Sequence, residues 1–125
     1  MNSKVFLGIR ILLGLFVLIF GLNKFLNFIP AGGEMSEPAM NYFGGLSSTY
    51  TIQLVAIVEI LAGLALIFNK YGALMALVLM SVSVNAVLFH ATLDMGNIGP
   101  ALGLLILNIV VLVGYKDRYK DLLRA

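Results

Sequence analysis

Long apolar stretches alternate with short polar breaks along the chain, and that rhythm decides its class. Apolar positions dominate residues 5–29, 50–68, 71–93 and 98–115. A membrane-crossing helix needs about 20 mostly apolar residues, and each stretch is near or above that length. None of them alternates with period two around a polar inner face, which argues against a β-barrel. Helices satisfy every backbone N–H and C=O inside hydrocarbon, and four of them consume most of the chain. The pattern predicts a single transmembrane domain over residues 1–125: an all-α, integral membrane four-helix bundle.

The breaks agree with the spans. Ile29-Pro30-Ala31-Gly32-Gly33 should end the first helix, because Pro has no N–H and disfavours helix in the residue before it. Asn69-Lys70-Tyr71-Gly72 is a tight connection that makes the second and third spans antiparallel neighbours. Asp94-Met95-Gly96-Asn97 is a second short turn, with Asn97 as a candidate cap and Pro100 in the first turn of the last span. The one long connection, residues 30–49, carries Ser36-Glu37-Pro38 followed by Met40, Tyr42, Phe43 and Leu46. That run predicts a short interfacial helix lying at the membrane surface; an ordered loop is the alternative.

Composition then removes the other classes. Of the 125 residues 61% are hydrophobic and only 11% charged, too few charges to cover a water-soluble domain. A net charge of +2, with the basic residues beside apolar runs, excludes nucleic acid as a partner. There is no Cys, so disulfides, thiol redox chemistry and Cys-ligated metals are excluded. Seven of the eight basic residues fall on one side: Lys4, Arg10, Lys70, Lys116, Arg118, Lys120 and Arg124. Lys24 stands opposite, with Glu34, Glu37 and Asp94. The positive-inside tendency predicts cytoplasmic termini, an external 30–49 loop and a cytoplasmic tail at 116–125, most simply in a bacterial cytoplasmic (inner) membrane. Cleavage of the first span as a signal peptide is not expected: its apolar run is too long, and Phe28 would be a poor residue three before Ala31.

Polar groups inside the spans need a reason to be there, since each ionisable one costs roughly 2.5–3.5 kcal/mol on insertion scales. Arg10, Gly14, Gly21 and Lys24 share one face of the first helix, where small residues permit close approach. Glu59, near the middle of the second span, is read either as the ionised partner of Arg10 or Lys24 or as a protonated carboxyl able to exchange a proton with a ligand. His90 is the only His, and no His/carboxylate pair is expected at ligand spacing, so no metal site is expected. Depth along the spans groups Asn23, Lys24, Gln53, Glu59, Asn85 and His90 in the external half, and of these Lys24, Gln53, Glu59, Asn85 and His90 are the candidate ligand-binding residues. Arg10 and Glu59 are the candidates for structural pairing. Asn108 is expected to hydrogen-bond across helices.

Several of these stretches together resemble the DoxX-like family of small four-helix membrane proteins. The resemblance rests on Arg10-Ile11-Leu12-Leu13-Gly14 with Gly21-Leu22-Asn23-Lys24-Phe25, on Val58 to Leu66, and on Phe89-His90. It implies a four-helix bundle associated with respiratory or redox partners. Some members are subunits of thiosulfate:quinone oxidoreductase, others belong to oxidative-stress complexes, and a related branch serves as chaperones or cargo receptors. The lack of Cys sets this chain apart from handling a sulfur substrate alone.

Three functions follow as expectations. The first is a redox-associated accessory subunit that binds a quinone, with Lys24, Glu59 and His90 as proton donors to the ring and Met and Phe residues along the tail. The second is a non-catalytic assembly factor or chaperone, holding a partner helix on the Gly-rich face of the first helix and the external loop. The third is a small multidrug-type transporter, disfavoured because the intramembrane Glu lies in the second helix and Trp is absent. No complete catalytic constellation is present. A quinone is the only candidate cofactor, and the expected partners are the lipid bilayer, a membrane or respiratory protein and further copies of the chain.

Overall fold

The computed structural model describes residues 1–29 and 35–125, and it is helical throughout its regular parts. Five α-helices follow in order: α1 (Ser3–Leu26), α2 (Glu37–Ser48), α3 (Thr51–Phe68), α4 (Gly72–Leu93) and α5 (Ile98–Gly114). Among the described residues four stretches are long and apolar enough to cross a membrane: Ser3–Leu26, Thr51–Phe68, Gly72–Leu93 and Met95–Gly114. The fold is the four-helix membrane bundle that the pattern predicts. Around it α1 packs on α3 and α5, and α4 packs on α3 and α5.

Local chemistry sets the ends. Asn2 caps α1 by accepting from Lys4 N–H at 2.8 Å. The helix stops at Leu26, three residues before the expected limit of 29, and the cause is a pair of asparagines. Asn27 turns left-handed at φ 51°, a conformation Asn tolerates better than most residues, and the Asn23 side chain accepts from Ile29 N–H at 2.7 Å. The Pro30–Gly33 break and Glu34 lie outside the described residues. Ser36 starts α2 by accepting from Ala39 N–H at 3.3 Å, with Pro38 in the first turn. Asn69 and Tyr71, both at positive φ, fold the connection between α3 and α4 back on itself. Asn97 takes the expected N-cap position of α5 without a side-chain capping bond. Its amide donates instead to the Asp94 carboxylate at 3.1 Å, and Met95–Asn97 forms a 3-10 turn ahead of α5.

Two close packings hold the bundle. Gly14 and Gly21 of α1 lie against α3, so that a Cβ on Gly63 would sit 2.8 Å from the Gly14 carbonyl oxygen. Small residues let the two backbones touch, the usual source of helix association in lipid. Between α4 and α5 the fully buried Asn108 donates to Ala76 O at 3.0 Å and accepts from Ser83 Oγ at 2.6 Å. This is the expected cross-helix bond. Leu13, Val17, Leu66, Leu79 and Val111 fill the centre with no exposed surface.

The end of the bundle where both termini meet the Asn69–Tyr71 turn has its own clamp. Arg10, buried, donates to the carbonyls of Leu66 and Ile67 at the end of α3, where a cation offsets the helix dipole. Tyr115 donates to Asn69 Oδ1 at 2.6 Å, and Tyr119 donates to Ala73 O at 2.7 Å. Burial raises both phenols, that of Tyr119 to about 12, with neighbouring Tyr115 adding to it.

Candidate functional site

The opposite half of the bundle is hollow. A cavity of about 420 Å³ lies between the four spans and beneath α2. Each element gives it residues for a reason rooted in its register. Phe16, Phe20 and Lys24 stand four apart on α1, one face of a helix. Ile52, Val55 and Glu59, spaced three and then four apart, likewise share one face of α3, and Val82, Ala86, Phe89 and His90 face inward from α4. Pro100, Ala101 and Leu104 of α5 close the far wall. Above, Tyr42 stacks on Phe89 with ring centres 5.2 Å apart, and Phe43 meets Phe89 edge-on at 4.8 Å. These ring contacts seat α2 across the mouth, and Ser36 Oγ adds a 3.4 Å bond to Leu93 O at the end of α4.

An ion pair is set into this apolar wall. Lys24 Nζ lies 2.5 Å from Glu59 Oε1, with the Glu59 side chain 4% exposed and that of Lys24 26% exposed. The pair joins α1 to α3 one turn beyond the Gly21 contact, where the Gly21 position sits against Glu59 Cβ. Of the two partners that the sequence allows for Glu59, the structure takes Lys24. Pairing of Arg10 with Glu59 is corrected: Arg10 lies at the other end of the bundle and spends its guanidinium on the α3 carbonyls. In a medium that cannot solvate charge, only a close and well-aimed counter-ion makes two such groups tolerable.

The second polar feature is His90. Its Nδ1 lies 3.3 Å from Asp94 Oδ2 and 3.3 Å from Asp94 O, both acceptors. Nδ1 therefore carries the proton in the neutral ring, and Nε2 presents a lone pair. The expectation that no carboxylate stands at ligand spacing to His90 is corrected by Asp94, four residues on. Among the described residues no third His, Cys, Asp or Glu joins the pair in a metal-binding group.

Of the candidate ligand residues, the structure brings Lys24, Glu59, Asn85 and His90 to the one cavity. Asn85 and His90 reach it together although about 140° of helix separates them, because the cavity wraps around that side of α4. Gln53 does not line it; its Oε1 is buried and has no donor among the described residues. Asn23 is spent on ending α1. Sequence reasoning missed the aromatic lining of Phe16, Phe20, Tyr42, Phe43 and Phe89 as a set. Phe16, Phe20 and Lys24 at four-residue spacing are the signal that was there to find. The Gly14–Gly21 face offered for a partner helix is covered by α3.

A four-helix membrane bundle with an aromatic cavity and a membrane-embedded Lys–Glu pair defines the class of protein. Within that class, the DoxX family model matches residues 5–92, more than two thirds of the chain. The chain belongs to the DoxX family. Comparison with curated proteins and with solved structures gives no match.

Proposed function

We propose that this protein is a redox-associated accessory subunit that binds a quinone in the cavity beneath α2. The observation that carries the reading is the Lys24–Glu59 pair set among Phe16, Phe20 and Phe89. A quinone needs a flat apolar slot, a hydrogen-bond donor for a ring carbonyl and a way out for its tail. Aromatic side chains supply the slot, the Lys24 ammonium is the donor, and the cavity volume lies in the range of ordinary small-molecule sites, about 300–1,000 Å³. Such a volume holds the ring and the first part of a tail, and the rest runs among lipid chains. When bound, the quinone supplies two-electron chemistry, while the chain holds the ring, excludes water and keeps Lys24 and Glu59 in register. The distribution of basic residues supports cytoplasmic termini in a bacterial inner membrane, with α2 outside.

The test is what comes out of the membrane with the protein. Gentle extraction and mass spectrometry should recover a quinone, and a short-chain soluble quinone should bind the purified protein with micromolar affinity. The double variant Lys24→Met, Glu59→Gln should lose that binding while keeping its helical circular dichroism. A preparation free of quinone and blind to the soluble analogue would overturn the proposal. Because the chain has no Cys, single cysteines placed at Gly96 and Arg124 report the orientation by their labelling from each side.

A further inference from the structure

We infer that the cavity selects the reduced, hydroxyl-bearing ring over the oxidised one: it is built to receive a hydrogen-bond donor. The inference rests on the quinone reading above and deepens it. It comes from a census of the polar atoms in the wall. Glu59 meets Lys24 through Oε1, and among the described residues no other donor is bonded to the carboxylate. His90 is held by Asp94 in the tautomer that leaves Nε2 an acceptor. The wall's small polar donors are committed in part. Ser81 Oγ donates to Val78 O at 2.8 Å, and Asn85 Nδ2 gives one of its two protons to Ser81 O at 2.7 Å, which leaves Asn85 its second N–H and its Oδ1 acceptor. Thr51 and Tyr42 carry the other hydroxyls of the wall: Thr51 Oγ1 shares a 2.8 Å bond with Thr49 Oγ1, and Tyr42 stands exposed at the mouth.

Lys24 keeps protons beyond the one aimed at Glu59, so the pair presents a donor and an acceptor side by side. A hydroxyl oxygen matches both, accepting from Lys24 and donating to Glu59. A ring carbonyl matches Lys24 but not Glu59, and sets its lone pairs against the carboxylate and the imidazole. Leaving a buried acceptor unmet costs more than a formed bond returns, and a bond to a charged group is among the stronger ones. The hydroquinone should therefore bind roughly 10- to 100-fold tighter than the matching quinone.

Anaerobic titration of the purified protein with a short-chain hydroquinone and its quinone reads this ratio. A second pair without redox chemistry, an alkylphenol and its methyl ether, reads the hydroxyl alone. Tighter binding of the hydroquinone and of the phenol supports the inference, and His90→Ala should narrow both preferences. A phenol that binds as well as the hydroquinone also supports it and assigns recognition to one hydroxyl. Equal or tighter binding of the quinone together with equal binding of phenol and ether overturns it and leaves the quinone reading standing. Failure of both quinone forms sinks that reading instead, and the phenol–ether comparison still decides whether the wall selects a donor.

Discussion

The Lys24–Glu59 pair makes an asymmetric prediction, because its two partners are unequally buried. Lys24→Met leaves the Glu59 carboxylate 4% exposed and without a counter-ion. Breaking a buried pair from this side costs about 3–5 kcal/mol in soluble proteins, and about 3 is the sensible figure beside a cavity. Glu59→Gln leaves an ammonium that is 26% exposed on a flexible stem. Lys24 can then swing toward the headgroups, so the cost should fall below about 1 kcal/mol. Removing both charges together, Lys24→Met with Glu59→Gln, should come within about 1 kcal/mol of the natural chain, since an apolar replacement of a buried pair is often neutral.

The four proteins are compared by titrating mixed micelles with a denaturing detergent and following far-ultraviolet circular dichroism. The expected order of stability is natural chain, double variant and Glu59→Gln close together, with Lys24→Met well below. The order matters more than any single value, because the double variant carries the same Met as the unstable single. If Glu59→Gln were as costly as Lys24→Met, or the double variant no better than Lys24→Met, the pair would not be the closed electrostatic unit the geometry describes. Either result would place the stabilisation in packing.

Three further predictions use the same assay. Gly63→Leu should destabilise by about 1–3 kcal/mol or more, because a Cβ there lies 2.8 Å from Gly14 O and from Leu18 Cβ, whereas Gly103→Ala, with nothing within 4 Å, should be neutral. Asn108→Ala should cost about 1 kcal/mol for two interhelical bonds at the modest values typical of membrane proteins, with a small addition for the void; Ser83 keeps its 3.2 Å bond to Leu79 O and is not orphaned. Tyr119 titrates near 12 when folded against an ordinary 10, so its share of stability is complete below pH 10 and is lost as pH rises through about 12. Tyr119→Phe should be less stable by about 1 kcal/mol at neutral pH and should lack that part of the alkaline loss.

What the sequence makes legible here is height, and what it hides is direction. Four apolar stretches of membrane length and the turns between them follow from hydrogen-bond satisfaction in hydrocarbon, so the bundle can be read directly. Depth along each span then puts Lys24, Glu59 and His90 in one half of the bundle, and the structure does join them at one cavity. Depth leaves open which way a helix is turned about its axis. That is why Gln53, in the right half, does not line the cavity, whereas Arg10, on the same face as Lys24, is separated from Glu59 by height and meets the carbonyls of Leu66 and Ile67. The rotation of α1 against α3 is fixed by contacts no single span contains: Gly14 and Gly21 must meet α3 where it too is small, at Gly63 and Ala56. Once those backbones touch, Lys24 one turn beyond Gly21 has Glu59 before it. The choice of ion-pair partner is thus decided by glycines. A substitution at Gly21 that pushes the helices apart should uncouple Lys24 from Glu59 with both charges still present.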